Sequence, residues 1–201
     1  MSVRGVIFDL DGTLIDSALD FDQMRSDMDF APGQFILETL ESLPEGARKD
    51  RCREILRGHE YRGAMGATLI PGAREVVDEL ARLGIPQAIL TRNSRAMTEL
   101  ALGRLKLEFS QVVTREDAPP KPDPAGLLSI CSAWNVNVTD VVFVGDFEFD
   151  LLAGHRAGIA TVLYAPAELP DYAHEADFVV THLLELRGVL AELDQRISER
   201  R

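Results

Sequence analysis

Two aspartates separated by one residue, Asp9 and Asp11, stand in the run Asp9-Leu10-Asp11-Gly12-Thr13. Carboxylates held this close repel until a cation or a shared proton compensates, which is a physical reason to assign them chemical work. With each residue type used about one time in twenty, four fixed residues arise by chance in a chain of this length roughly once in a thousand. A second acidic pair, Asp146 and Asp150, follows Gly145 at a spacing of four, so a helix begun in that turn would set both toward one face. Such hard oxygen donors suit Mg²⁺, which takes a few carboxylates and keeps several waters. Between the two pairs stand Thr91, followed by Arg92 and Asn93, and Lys121 in Pro119-Pro120-Lys121-Pro122. Alone, Thr91 reads as a turn or cap residue and Lys121 as a surface lysine presented from a proline-stiffened platform. An acidic helix start accounts for Glu148 but leaves the apolar lead-in and the parallel with Asp9 unexplained.

What positions these residues is a recurring pattern. A short β-branched run at residues 3–8 ends abruptly at Asp9, as expected of a strand buried on both faces of a parallel sheet. Similar runs at 86–90, 112–113, 141–144, 159–163 and 178–180 predict further strands. Between them Val76, Val77, Leu80 and Leu83 share one helical face; Met97, Leu100 and Ala101, and then Leu127, Cys131 and Trp134, repeat the spacing. A last helix is expected over 183–197, ending in a solvated tail at Arg200 and Arg201. Alternating strands and helices imply an α/β fold, a Rossmann-like doubly wound parallel sheet whose ligands bind at the strand carboxyl ends. Asp9, Thr91 and Asp146 fall at such ends.

Residues 16–70 interrupt the alternation with three helical stretches, near 21–28, 35–43 and 48–56, and no strand. Their Pro and Gly punctuation predicts a small inserted α-helical cap over 16–70, with the core formed by 1–15 and 71–201.

Composition bounds the partners. The chain has 201 residues, 46% hydrophobic and 27% charged, as in ordinary globular proteins, and no apolar run approaches the ~18 residues of a membrane span. A formal charge of −12 argues against nucleic acid, which requires a basic face. It also means that any phosphate ligand needs local positive charge, from a metal ion and a few chosen basic side chains; lysines are scarce, only Lys49, Lys106 and Lys121. Cys52 and Cys131 read as separate reduced thiols, and the N-terminus runs from apolar residues straight into carboxylates, unlike a signal peptide; a cytoplasmic setting is expected. Nothing in the sequence specifies an oligomeric state.

Taken in order, Asp9-x-Asp11-Gly12-Thr13, the strand-end Thr91, Lys121-Pro122 and Gly145-Asp146-x-x-x-Asp150 resemble the four motifs of the haloacid dehalogenase-like hydrolase superfamily over about residues 3–165. The runs at 8–17 and 70–73 further resemble the phosphoglycolate phosphatase branch, though the cap is short for it and Phe147 stands where a small polar residue is common. The resemblance implies a phosphatase acting on a small phosphorylated metabolite. It implies Asp9 as nucleophile, forming an aspartyl-phosphate, and Asp11 as general acid and base. Thr91 and Lys121 would hold phosphoryl oxygens, and Arg92 and Asn93 would contact substrate. Mg²⁺ would be held by Asp9, Asp146 and Asp150 with the backbone of Asp11. A phosphomutase shares these motifs. A catalytically silent binder of Mg²⁺ or a phospho-ligand needs no nucleophile and proton donor together.

Overall fold

The structure, a computed structural model, describes residues 3–199. Six strands form one parallel sheet: β1 (Gly5–Phe8), β4 (Gln87–Leu90), β5 (Gln111–Val113), β6 (Val141–Gly145), β7 (Ala160–Tyr164) and β8 (Phe178–Val180). Their order is β5-β4-β1-β6-β7-β8. The chain builds outward from β1 on one side, then returns to lay β6 on its other side, so the topology reverses at β1. At such a reversal the connections diverge and leave a crevice beyond the strand ends.

Strand residues alternate between two buried faces, which is why these runs are apolar throughout rather than at every second position. Val6, Phe8, Ile89, Val142 and Val144 pack against α4 (Ala73–Arg82), α5 (Arg95–Leu105) and α8 (Leu186–Glu199). Ile7, Ala88, Leu90 and Phe143 face α6 (Ala125–Trp134) and α7 (Glu148–Ala157). Each buried aliphatic side chain contributes about 1.5–3 kcal/mol. Together they fix the strand ends that carry the acidic residues. Among the described residues no helix is long and apolar enough to cross a membrane. The expected tail at Arg200 and Arg201 lies outside those residues.

The inserted segment departs from expectation at two points. Residues 15–16 and 68–69 form a two-stranded antiparallel ribbon, β2 (Ile15–Asp16) with β3 (Thr68–Leu69), where no strand was expected. Two residues per strand are too few to show an alternation. The helices α1 (Phe21–Asp27) and α2 (Ile36–Ser42) fall where predicted, but α3 runs over Ala47–Gly66, well beyond residue 56. Its second half lacks a large apolar stripe because it packs through small residues: Gly63 and Ala64 are buried, and a Cβ on Gly63 would lie 2.7 Å from Leu19 Cδ2. Met24, Met28, Ile36, Leu40, Cys52 and Leu56 make a hydrophobic cluster of the insertion's own.

Candidate active site

The carboxyl ends of β1, β4 and β6 converge on one pocket, lined among others by Asp9, Asp11, Thr91, Lys121, Asp146 and Asp150. Asp9 leaves β1 with its N–H still bonded to Val144 O at 2.8 Å, so the sheet itself fixes its backbone. The turn that follows needs Gly12: its φ is +89°, and a Cβ there would lie 2.3 Å from Asp146 Oδ2. That closeness brings the two acidic turns together.

Lys121 is buried and serves as the cation of this cluster. Its ammonium donates to Asp9 Oδ1 and lies 2.6 Å from Asp150 Oδ1. Burial alone would lower its pKa, but Asp150 and Asp9 more than offset this and hold it above the ordinary lysine value. The pair with Asp150 is an electrostatic contact outside hydrogen-bond geometry, since Asp150 Oδ1 has no hydrogen-bond partner. Asp150 Oδ2 instead accepts from the N–H groups of Asp146 and Phe147, at 3.2 and 3.0 Å, and so caps the start of α7. Asp146 precedes that helix rather than sharing a face of it, contrary to expectation. Its Oδ1 accepts from Thr13 Oγ1 at 3.1 Å, and its carbonyl from Tyr172 Oη at 3.1 Å.

Three carboxylates around one ammonium leave an excess of negative charge. One oxygen each of Asp9, Asp146 and Asp150 lie within 4.8 Å of one another. Desolvation raises the Asp9 pKa well above the usual range; Lys121 opposes this, while Asp150 and Asp146 add to it. Desolvation and then Asp150 push Asp146 up to about 7. A second cation would relieve both.

Asp11 lies outside that trio and differs in surroundings. Asn93 Nδ2 donates to its Oδ2 at 3.1 Å, while its buried Oδ1 has no partner. Burial raises its pKa, against the opposing influence of the nearby Ser17 side chain and the Asn93 hydrogen bond. Thr91, buried at the end of β4, accepts the Asn93 N–H at 3.0 Å on its Oγ1, leaving its own hydroxyl hydrogen available. Arg92 donates to Lys121 O and, at 2.6 Å, to Glu38 Oε1 of α2, with its guanidinium 4.7 Å from the Phe149 ring centre. All eight residues singled out in the sequence line this pocket.

The sequence did not point to Glu60 or Arg115. Arg115, beyond β5, donates from Nη1 and Nη2 to the buried Glu60 carboxylate of α3, the second bond at 3.0 Å, and also to Arg92 O. Fifty-five residues separate the pair, so no local pattern marks it. Thr13 and Ser17, by contrast, lie within the first motif and were there to be weighed.

The family model for haloacid dehalogenase-like hydrolases matches residues 3–158. The chain belongs to this family. A haloacid dehalogenase-like hydrolase domain-containing protein of Arabidopsis thaliana is 31% identical over 94% of this chain and 84% of its own length. The N-acetylmuramic acid 6-phosphate phosphatase of Pseudomonas putida is 28% identical over 94% of this chain and 97% of its own. Among solved structures, a hydrolase from Pseudomonas syringae superposes with a TM-score of 0.78 over 94% of this chain and 98% of its own, at 24% identity, which speaks to the fold. In this haloacid dehalogenase-like hydrolase, Asp9, Asp11, Thr91, Lys121, Asp146 and Asp150 of the motifs line one pocket.

Proposed function

We propose that this protein is a Mg²⁺-dependent phosphatase that hydrolyses a small phosphate monoester through an aspartyl-phosphate on Asp9. The observation that carries this reading is that two neighbouring carboxyls have unlike partners. Asp9 accepts from the Lys121 ammonium, which opposes the rise in its pKa caused by burial, Asp150 and Asp146; a bound cation would oppose it further and favour the ionised, nucleophilic form. Asp11 has one oxygen held by Asn93 and the other bare and desolvated, which favours a proton there. A nucleophile beside a protonated acid is the arrangement that phosphate transfer to a carboxylate requires.

The donor set of Asp9, Asp146 and Asp150, all oxygen and short of positive charge, fits Mg²⁺, with the main chain of Asp11 as a further ligand. When bound, the ion supplies charge that offsets these carboxylates and the phosphoryl oxygens. The remaining steps belong to the chain. An oxygen of Asp9 attacks phosphorus in line as the ester bond breaks, and Asp11 gives its proton to the leaving alkoxide. The Thr91 hydroxyl and Lys121 hold phosphoryl oxygens. Asp11, now ionised, takes a proton from water, which attacks phosphorus and releases inorganic phosphate and free Asp9. The same proposal makes residues 16–70 a cap over residues 1–15 and 71–201, supported by its own hydrophobic cluster and its ribbon connection. Both cysteines are free, buried thiols, which agrees with a cytoplasmic setting.

Asp11→Asn tests the mechanism, because it keeps the shape and abolishes proton exchange. An aryl phosphate hardly needs an acid, whereas water always benefits from a base. With this variant an aryl phosphate should give a burst of phenol and trapped phosphoenzyme, followed by turnover slowed about 10²–10⁴-fold. An alkyl phosphate should give no burst. Rapid-quench data with mild, equal losses for both esters and no trapped intermediate would exclude Asp11 as the acid and base.

A further inference from the structure

The pocket encloses about 400 Å³, room for a phosphoryl group and a ring-sized leaving group. Its two ends differ in character. The strand ends supply the charged cluster, whereas the insertion supplies Leu19, Met24, Ile36, Leu37 and Leu56, faced by Phe149 of the core. Phe35 packs on Phe149 with ring centres 4.8 Å apart, and Phe147 meets Phe149 edge-on at 5.2 Å. Phe21, Phe35 and Phe147 also line this space yet keep large exposed areas, 53%, 45% and 41%. Aromatic surface left uncovered at a pocket is surface that a bound apolar group would cover.

The polar side chains at the same end are already engaged with one another. Arg92 is spent on Lys121 O and Glu38, Glu60 on Arg115, and Asn93 on Asp11 and the Ser94 N–H. Arg25 bonds Asp22 and Gln34 O. Among the described lining residues on this side, its Nε is the buried side-chain donor without a partner. That donor has almost no exposed surface, so a leaving group could reach it only through a shift of Arg25, and at most one acceptor is matched there. One with several hydroxyls would have to compete for donors and acceptors already engaged, and each buried hydroxyl left unpaired weakens binding.

We infer that the substrate, on the phosphatase reading above, is the phosphate monoester of an apolar ring-bearing alcohol with at most one acceptor, and that polyol phosphates are poor substrates. The class differs from the sugar phosphate named for the Pseudomonas putida relative. Benzyl phosphate and glucose 6-phosphate test it, since both release a primary alcohol and so make similar demands on the acid. With Mg²⁺ present, kcat/KM for benzyl phosphate should exceed that for glucose 6-phosphate by about 10²-fold, from covered apolar area alone. Phe35→Ser should shrink that ratio about tenfold, mainly through KM; serine suits the helix N-cap position that Phe35 occupies, so the fold should persist. Equal rates, or a preference for glucose 6-phosphate, would overturn the inference while leaving the phosphatase reading intact. Absence of turnover with both esters and with 4-nitrophenyl phosphate would overturn the two together.

Discussion

Replacing Lys121 by Met keeps the aliphatic stem packed and removes the ammonium that, among the described residues, faces the trio of carboxylates. At 2.6 Å between Nζ and Asp150 Oδ1, attraction at an effective dielectric constant of about 20 is about 6 kcal/mol. Some of this returns, because a lysine no longer has to be desolvated and a carboxyl takes up a proton instead. Removing one partner of a buried pair costs about 3–5 kcal/mol net. For a chain of this size that lowers Tm by about 6–20 °C in the presence of chelator. The sign of the pH dependence follows from Asp9 and Asp146, whose folded-state pKa values already lie above the unfolded ones. A folded state that binds protons more tightly loses stability as pH rises, here from about pH 4 to about 7 and beyond. The variant's deficit should therefore be larger at pH 8 than at pH 5, and excess Mg²⁺ should recover part of it at pH 8. Thermal unfolding followed by circular dichroism reads all three effects. A Tm loss under about 2 °C at pH 8 without metal, or a deficit independent of pH, would refute the electrostatic account of this cluster.

Two further substitutions probe what surrounds that cluster. A Cβ on Gly145 would lie 2.3 Å from Asp150 Cγ and 2.4 Å from its Cβ, so Gly145→Ala should cost about 1–3 kcal/mol and most of the activity. Gly188, with open space around it in α8, is the control, and Gly188→Ala should be neutral or stabilising in the same denaturant titration. Glu60→Gln weakens the bond from Arg115 that ties α3 to the core; it should speed amide exchange in α3 and raise KM several-fold with a smaller change in kcat. Unaltered exchange would mean that the pair does not hold the insertion down.

The parallel sheet was legible because strands buried on both faces must be apolar at consecutive positions, and each such run stops where polar chemistry begins, at Asp9, Thr91 and Asp146. Helices with one dry face, such as α4, announced themselves by spacing. The insertion was harder to read. The latter half of α3 packs through Gly63 and Ala64, and small residues leave no periodic signal. The division of labour in Asp150 was also hidden: one oxygen caps a helix and the other faces Lys121, which spacing alone merges into a single expectation. Glu60 and Arg115 meet through tertiary packing and are invisible to any local pattern.

The ribbon of β2 and β3 has a mechanical consequence. It is bonded to the loop that carries Asp11: the Gly12 N–H donates to Ile15 O at 2.8 Å, Asp11 bridges Ile15, and the Ile70 N–H donates to Leu14 O at 3.0 Å. Asp9 is moored instead to β6, through Val144 O. A rotation of the insertion about this narrow stalk would thus load Asp11, the proton donor of the proposed mechanism, and spare Asp9, its proposed nucleophile, two residues away. On the proposed mechanism, opening would disarm the acid while the attacking group keeps its aim, so that an uncovered site would be poor at discharging a phosphoenzyme into bulk water. Amide exchange reads the asymmetry directly, with Gly12 expected to follow opening of the insertion and Asp9 to stay with the sheet.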